Sequence, residues 1–168
     1  MSTKTEAEMH DFLDQEFAWR RKELSTIRTD VSAATGASQN ALLRAGVALL
    51  YAHWEGFVKV ATETYVSYVG RRRLKYTELC PGFLALALRN KLRTLSIDDD
   101  SSAHVEFVRF LASSLEGNAQ IPKLGVIKTG SNLNSKRLRT IVVTLGLDYS
   151  AFELKEKFGV DPEIKTGE

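Results

Sequence analysis

The feature that most constrains the fold is a stretch without proline between residues 40 and 73. It reads NALLRAGVALLYAHWEGFVKVATETYVSYVGRRR. Its apolar residues recur at helical spacing instead of alternating strictly. An α-helix has 3.6 residues per turn, so the stretch predicts one helix of about eight to nine turns. A helix of that length can organise the other elements of a small domain.

This helix has two apolar faces, whereas a surface helix needs only one apolar stripe. The broad face consists of Leu43, Val47, Leu50, Trp54, Phe57, Val58, Ala61, Tyr65 and Tyr68. The second face is milder, and its small side chains would let another backbone come close: Ala45, Leu49, Ala52, Gly56 and Val60. A polar seam lies between the faces and consists of Arg44, Glu55, Lys59 and Glu63. We therefore expect a central helix that is enclosed by other helices.

The rest of the chain predicts an all-α fold, a helical bundle of about five to six helices around residues 40–73. Further helices are predicted over residues 5–34, 81–95 and 149–158, after the acidic loop at 98–102, and from Asn134 or Ser135 to Gly146. The first helix is expected to break at residues 36–38. Residues 118–133 predict a long ordered loop in which a Gly-Val-Ile piece could form an isolated strand. We expect a single domain over residues 1–158 and a polar tail over 159–168.

Composition and motifs exclude several classes of function. The 168 residues carry a formal net charge of +2, so any affinity for nucleic acid must come from local patches. The single cysteine, Cys80, excludes an internal disulfide, and no two histidines have the spacing of metal ligands. No phosphate-binding loop or dinucleotide fingerprint occurs, and we expect neither a metal nor another cofactor. With no apolar run of membrane-spanning length and no signal core, the chain is expected to be cytoplasmic and not membrane-bound.

Glu55, in the middle of the long helix, defines the first candidate site. A buried carboxylate without a partner is costly, so it must either pair or face a cleft. One interpretation is an ion pair with Lys59 one turn later. The other is a polar cavity that Glu55 lines together with Arg44, with His53 as a neighbouring candidate for catalysis. The sequence leaves both interpretations open.

The second candidate site is the start of the helix predicted to end at Gly146. Cations are unfavourable at the positive end of a helix dipole, but they become favourable if an anion docks on the free amides there. The alternative is that these side chains extend into water at a cost of some tenths of a kcal/mol each. The cations are Lys136, Arg137 and Arg139, and Lys123 and Lys128 in the preceding loop would enlarge the patch.

Three runs together resemble one branch of the HEPN superfamily, the small bacterial HEPN-like nucleases of defence systems and mobile elements. They are LLYAHWEGFVK, YVGRRRLKYTELCPGFLALALRNKL and SNLNSKRLRTIVVTLGLDYSAFE, and the resemblance covers residues 42–153. It implies an all-α bundle, usually dimeric. It also implies metal-independent RNA cleavage by an arginine and a histidine separated by four to six residues near the start of a late helix. In such a site the histidine acts as general acid and base, and the arginine stabilises charge on the phosphate.

The sequence departs from that pattern at the catalytic pair. No histidine follows an arginine at the required spacing, because Arg44 is too far from His53 and Arg93 is too far from His104. In relatives the pair would be expected after the stretch LDYSAFELKEKFGVD, whereas this sequence ends at Glu168. We expect either a truncated product or a final helix that has been lost or is supplied elsewhere.

Three hypotheses of function follow. The first is a HEPN-like protein of a phage-defence or toxin–antitoxin system that binds RNA but lacks the cleaving pair. The second is a non-catalytic module that pairs with itself or with a cognate partner protein. The third is an active nuclease that uses His53 with Arg44 or Glu55 of a dimer mate. We expect a homodimer, since a bundle without its last helix leaves an apolar groove to cover.

Overall fold

The computed structural model describes residues 5–97, 101–122, 133–150 and 152, and these residues form an all-α fold. Five α-helices occur in that part of the chain: α1 (Glu6–Ala33), α2 (Gly36–Arg71), α3 (Pro81–Ile97), α4 (Ser101–Ser113) and α5 (Ser135–Thr144). A short 3₁₀ helix (Tyr76–Glu78) lies between α2 and α3. Strand-like pairing in the described ranges is confined to an isolated bridge between Lys75 and Asn118. The predicted all-α class is therefore confirmed.

Some predictions cannot be compared with this description. The possible Gly-Val-Ile strand, most of the helix predicted over residues 149–158 and the polar tail over 159–168 lie outside the described residues. The division into one domain over 1–158 and a tail therefore stays a prediction. In the described part of the chain, no helix is long and apolar enough to cross a membrane.

Helix α1 begins where its capping residues indicate, but α2 begins earlier than predicted. The Thr5 hydroxyl accepts from the Glu8 amide, and the Glu8 carboxylate accepts from the Thr5 amide, which forms a capping box. Two extended residues, Ala34 and Thr35, connect the helices, and α2 starts at Gly36. Gly36 has φ of +61°, a conformation that glycine adopts without steric cost. Gly36, which was expected to end the first helix, therefore lies at the turn between the two helices and is the first residue of α2.

Helices α1 and α2 form an antiparallel hairpin. Two glycines of α2 lie directly against α1: a Cβ at Gly46 would lie 3.6 Å from Ile27, and one at Gly56 would lie 3.6 Å from the Arg20 guanidinium. The Phe57 ring packs against Phe17 at a centroid distance of 5.6 Å. Helix α1 thus lies between the two predicted apolar faces of α2, and Ala45 and Ala52 of the small-residue face are exposed.

The apolar core lies at the carboxyl-terminal half of α2, away from the turn of the hairpin. Its buried residues come from α2, α3, α5 and the segment that leads into α5: Val66, Phe83, Leu86, Leu133, Ile141 and Leu145. A second cluster, of Tyr76, Leu88 and Ala119, packs against Phe107 and Phe110 of α4. By contrast, Val47 in the other half of α2 is 68% exposed. The prediction that the whole helix is enclosed is therefore wrong for its first half, which in the described chain contacts α1 and, through Tyr51, the segment that leads into α5.

Helix α5 is fixed to α2 at its start and to α3 at its end. The Leu133 amide, two residues before α5, donates to the Tyr51 hydroxyl at 2.7 Å. At the other end the backbone of Thr144 packs against Gly82, where a Cβ would lie only 2.0 Å from the Thr144 carbonyl oxygen. Because α5 begins beside Tyr51 and ends against the core around Val66, it runs in the same direction as α2.

We expect Gly82→Ala to lower the free energy of unfolding by about 3 kcal/mol or more, because the new methyl group would overlap a backbone carbonyl that cannot rotate away. Gly46→Ala is the matched control. Its methyl group would be in ordinary contact with Ile27 at 3.6 Å, and alanine is favoured over glycine inside a helix by about 0.5–1 kcal/mol. Urea denaturation followed by circular dichroism measures both. Equal stability of the two variants would contradict the close packing of α3 on α5.

Candidate functional site

The first five residues of α5 include three exposed cations. The Asn134 side chain accepts a hydrogen bond from the Arg137 amide at 2.9 Å and so caps the helix. Lys136, Arg137 and Arg139 are all exposed, and the first turn contains no acidic residue. Because the other first-turn amides have no acceptor within the helix, this end attracts negative charge. Cations placed there add to the positive potential.

The Arg139 side chain is positioned by contact with the Tyr149 ring. Its guanidinium carbon lies 5.5 Å from the centroid of the Tyr149 ring, a cation–π distance. The Tyr149 hydroxyl donates to the Ser135 carbonyl oxygen at 3.4 Å, which ties the segment after α5 back to its first residue. Lys123 and Lys128, predicted to enlarge the patch, lie outside the described residues.

Tyr51, to which the segment before α5 is attached, lies on the same side of α2 as the polar seam. Arg44 precedes Tyr51 by seven residues, so it lies on the same side of α2, about 10 Å along the helix axis. Glu55 lies one turn beyond Tyr51. Arg44 is exposed and Glu55 is half-buried.

The predicted polar cavity requires Arg44 and Glu55 to lie close together on α2. Eleven residues separate them, which corresponds to about 16 Å along α2. Within the described ranges, no ion pair joins Glu55 to Lys59. Along the axis of α2, Arg44 therefore lies nearer to Tyr51 than to Glu55.

His53 faces the other helix of the hairpin, away from the seam. Its ring packs edge-on against Trp19, with the centroids 5.2 Å apart. Its Nε2 atom lies 2.8 Å from a carboxylate oxygen of Glu23. The carboxylate lies off the direction of the ring N–H, so the buried Nε2 has no well-formed hydrogen bond in the described chain. His53, Glu55 and Arg44, proposed together from the sequence, are thus not brought together within one chain.

Arg20 completes the cluster around His53, and sequence reasoning missed it. Its guanidinium carbon lies 4.3 Å from the centroid of the Trp19 ring, and one of its terminal nitrogens donates to the carboxylate and the carbonyl oxygen of Glu16. The residue is only 8% exposed, and its Nε has no hydrogen-bond partner among the described residues. A signal was present in the sequence, because Arg20 falls within the apolar stripe of the first helix, between Phe17 and Leu24.

The cluster of Trp19, Arg20, Glu23 and His53 joins α1 to α2. His53 is 8% exposed, so a substrate atom cannot reach its ring without movement of Trp19 or Glu23. Trp19 is 47% exposed and forms the solvent side of the cluster. In this arrangement the contacts of His53 with Trp19 and Glu23 join the two helices, while the cations of α5 are exposed. No group of three or more potential metal-ligating side chains occurs in the described chain.

One comparison with known proteins gives a match to most of the chain. The model of the HEPN_MAE_28990 family, described as a HEPN-like domain, matches residues 9–166. The matched range includes α1 through α5 except for the first three residues of α1. No curated protein and no solved structure shows significant similarity to the chain.

We expect Arg20→Ala to lower the free energy of unfolding by about 3 kcal/mol, because it removes a buried cation stacked on Trp19 and leaves Glu16 without its partner. Arg21→Ala is the matched control on the next position. Arg21 is exposed, so its removal is expected to change stability by less than about 0.5 kcal/mol. Thermal and urea denaturation measure the difference. If both variants are equally stable, the cluster does not hold α1 to α2.

Proposed function

The chain belongs to the HEPN family, and on that premise we propose that it is an RNA-binding protein of a phage-defence or toxin–antitoxin system in the cytoplasm. HEPN domains are typically ribonucleases of such systems. The proposal concerns binding, since the sequence has no arginine and histidine at the spacing that the family uses for cleavage. The observation that carries it is the exposed cationic first turn of α5.

The geometry of that turn supports contact with a phosphate backbone. Lys136, Arg137 and Arg139 project from the end of α5 at which the helix dipole is positive. Cations that neutralise phosphates release counterions, which supplies sequence-independent affinity. Arg44 extends the same surface along α2, and we propose that it contacts the next part of the RNA strand. Contacts of this kind position an RNA without reading its bases.

A non-catalytic interaction module is the second candidate function. The observation that favours it is an apolar groove between α1, α2 and α5, with a volume of about 390 Å³. Trp54, Phe57 and Leu138 line its floor, and Leu147 at its edge is 46% exposed. HEPN domains often dimerise, and we propose that a second copy covers this groove.

RNA cleavage by His53, with Arg44 or Glu55 of a second copy, is the competing enzymatic proposal. An assay for RNA degradation separates it from binding alone. Loss of RNA in the presence of the protein, abolished by His53→Ala in a variant that stays folded, would establish it. Intact RNA at protein concentrations that saturate binding would leave the binding function.

We expect the double variant Arg137→Glu/Arg139→Glu to weaken binding of single-stranded RNA by more than about tenfold at low salt, because two phosphate contacts become repulsions. The dependence of log Kd on log salt concentration should become shallower by about 1.4, since each phosphate contact on a single strand contributes about 0.7. Fluorescence anisotropy with a labelled RNA oligonucleotide, repeated over a series of salt concentrations, measures both quantities.

The control for this experiment is Arg93→Glu/Arg109→Glu. It makes the same change of net charge at exposed positions of α3 and α4. We expect it to lower affinity only slightly. If both double variants weaken binding equally, the effect belongs to net charge and the first turn of α5 is not an RNA-binding surface.

We expect the protein to be a homodimer that Leu147→Asp converts to a monomer, because a carboxylate at the edge of an apolar interface is costly to desolvate. Light scattering over a range of concentrations measures the molar mass. Val143→Asp on α5 is the control, as Val143 is 57% exposed and does not line the groove. A wild-type protein that stays monomeric at every concentration would contradict the dimer.

A further inference from the structure

A second apolar groove lies at the end of the hairpin where α1 turns into α2. It has a volume of about 310 Å³ and is lined by Leu24, Ile27 and Val31 of α1 and by Leu43, Val47 and Leu50 of α2. We call it the tip groove. No described residue of α3, α4 or α5 lines it.

The α2 residues that line the tip groove have the spacing of a helix-binding surface. Leu43, Val47 and Leu50 follow one another at intervals of four and three residues, which is the repeat that packs helix against helix in a coiled coil. These three side chains are 47%, 68% and 55% exposed. An amphipathic helix is the element that lays an apolar stripe into a groove between two helices. The geometry therefore favours a helix as the occupant.

The rim of the tip groove is basic. Arg28 lines it, and Arg21, seven residues earlier on α1, lies on the same side of that helix. On α2, no acidic residue occurs before Glu55.

The nearest carboxylates of α1 point to the opposite side of the hairpin. Glu23 contacts His53 there, and Asp30 lies two turns further along the same side of α1. On the rim side of α1 the nearest carboxylate is that of Asp14, two turns before Arg21, so the charge of Arg28 at the groove itself favours an acidic partner.

Two other occupants fit the tip groove less well. A second copy related by a two-fold axis would bring its own rim arginines against Arg21 and Arg28, since each surface in such a contact meets itself. Single-stranded RNA binds on aromatic platforms, whereas the tip groove is lined by aliphatic side chains. We propose that the tip groove binds an amphipathic helix with acidic flanks, contributed by a partner protein. This interaction goes beyond RNA binding by α5.

The proposal is tested with two labelled synthetic helical peptides of three heptads. Both carry leucine at the a and d positions, one with glutamate and the other with lysine at the e and g positions. Fluorescence anisotropy with the full chain measures their affinities. We expect the acidic peptide to bind at least about tenfold more tightly than the basic one, with a preference that shrinks as salt is added.

Variants locate the binding site. We expect Val47→Asp to weaken binding of the acidic peptide by at least about tenfold. Val47 is the most exposed of the three α2 residues that line the tip groove, and the new carboxylate would be buried under the bound peptide. Arg28→Glu should weaken binding of the acidic peptide and strengthen that of the basic one. The controls are Val108→Asp on α4, where Val108 is 62% exposed, and Arg93→Glu on α3. Neither control should change binding.

The proposal would be overturned by any of four results. One is equal affinity for the two peptides, and another is no detectable binding of the acidic peptide. The third is a homodimer that Val47→Asp dissociates and Leu147→Asp does not, since the groove would then be covered by a second copy. The fourth is a loss of RNA affinity in Val47→Asp with no change in peptide binding.

Discussion

The hydrogen bond between the Leu133 amide and the Tyr51 hydroxyl determines where α5 lies on the hairpin. Leu133 is only 2% exposed, and a buried amide without a partner would cost about 1–3 kcal/mol. Tyr51 supplies the acceptor from the middle of α2 at 2.7 Å. Because Leu133 lies two residues before α5, the same bond places the cationic first turn on the surface of the hairpin. The proposed RNA-binding surface thus depends on a side chain that need not touch RNA.

Helix α2 separates two groups of charged residues that behave differently. On the side of α1, Arg20 and His53 are buried and packed against Trp19, where they join the two helices. On the side of α5, Arg44 and Arg137 are exposed. A buried cation must be stacked or paired to be tolerated, whereas an exposed one is hydrated and costs little. Burial therefore distinguishes the charges that stabilise the fold from those that support binding.

The sequence predicts those features that depend on local chemistry. Thr5 and Asn134 mark helix starts because their side chains cap amides a few residues away, and the cations of α5 follow directly from the start at Asn134. The start of α2 escapes prediction because glycine both ends helices and, with a positive φ, begins this one. Whether Arg20 extends into water or stacks on Trp19 depends on the partner helix. The exposure of Val47 likewise depends on how far α3 and α5 reach, which no local pattern specifies.

The Tyr51–Leu133 hydrogen bond joins residues that are far apart in the sequence, and this determines when it can form during translation. The hairpin is made of contacts between consecutive helices, whereas this bond closes a span of 82 residues. Local contacts form sooner than distant ones, and a chain on the ribosome folds from its amino terminus. The hairpin can therefore assemble while α5 is still untranslated, and the cationic turn takes its place only after residue 133 has emerged. A nascent chain would display its apolar tip groove to a partner well before it acquires a surface for RNA.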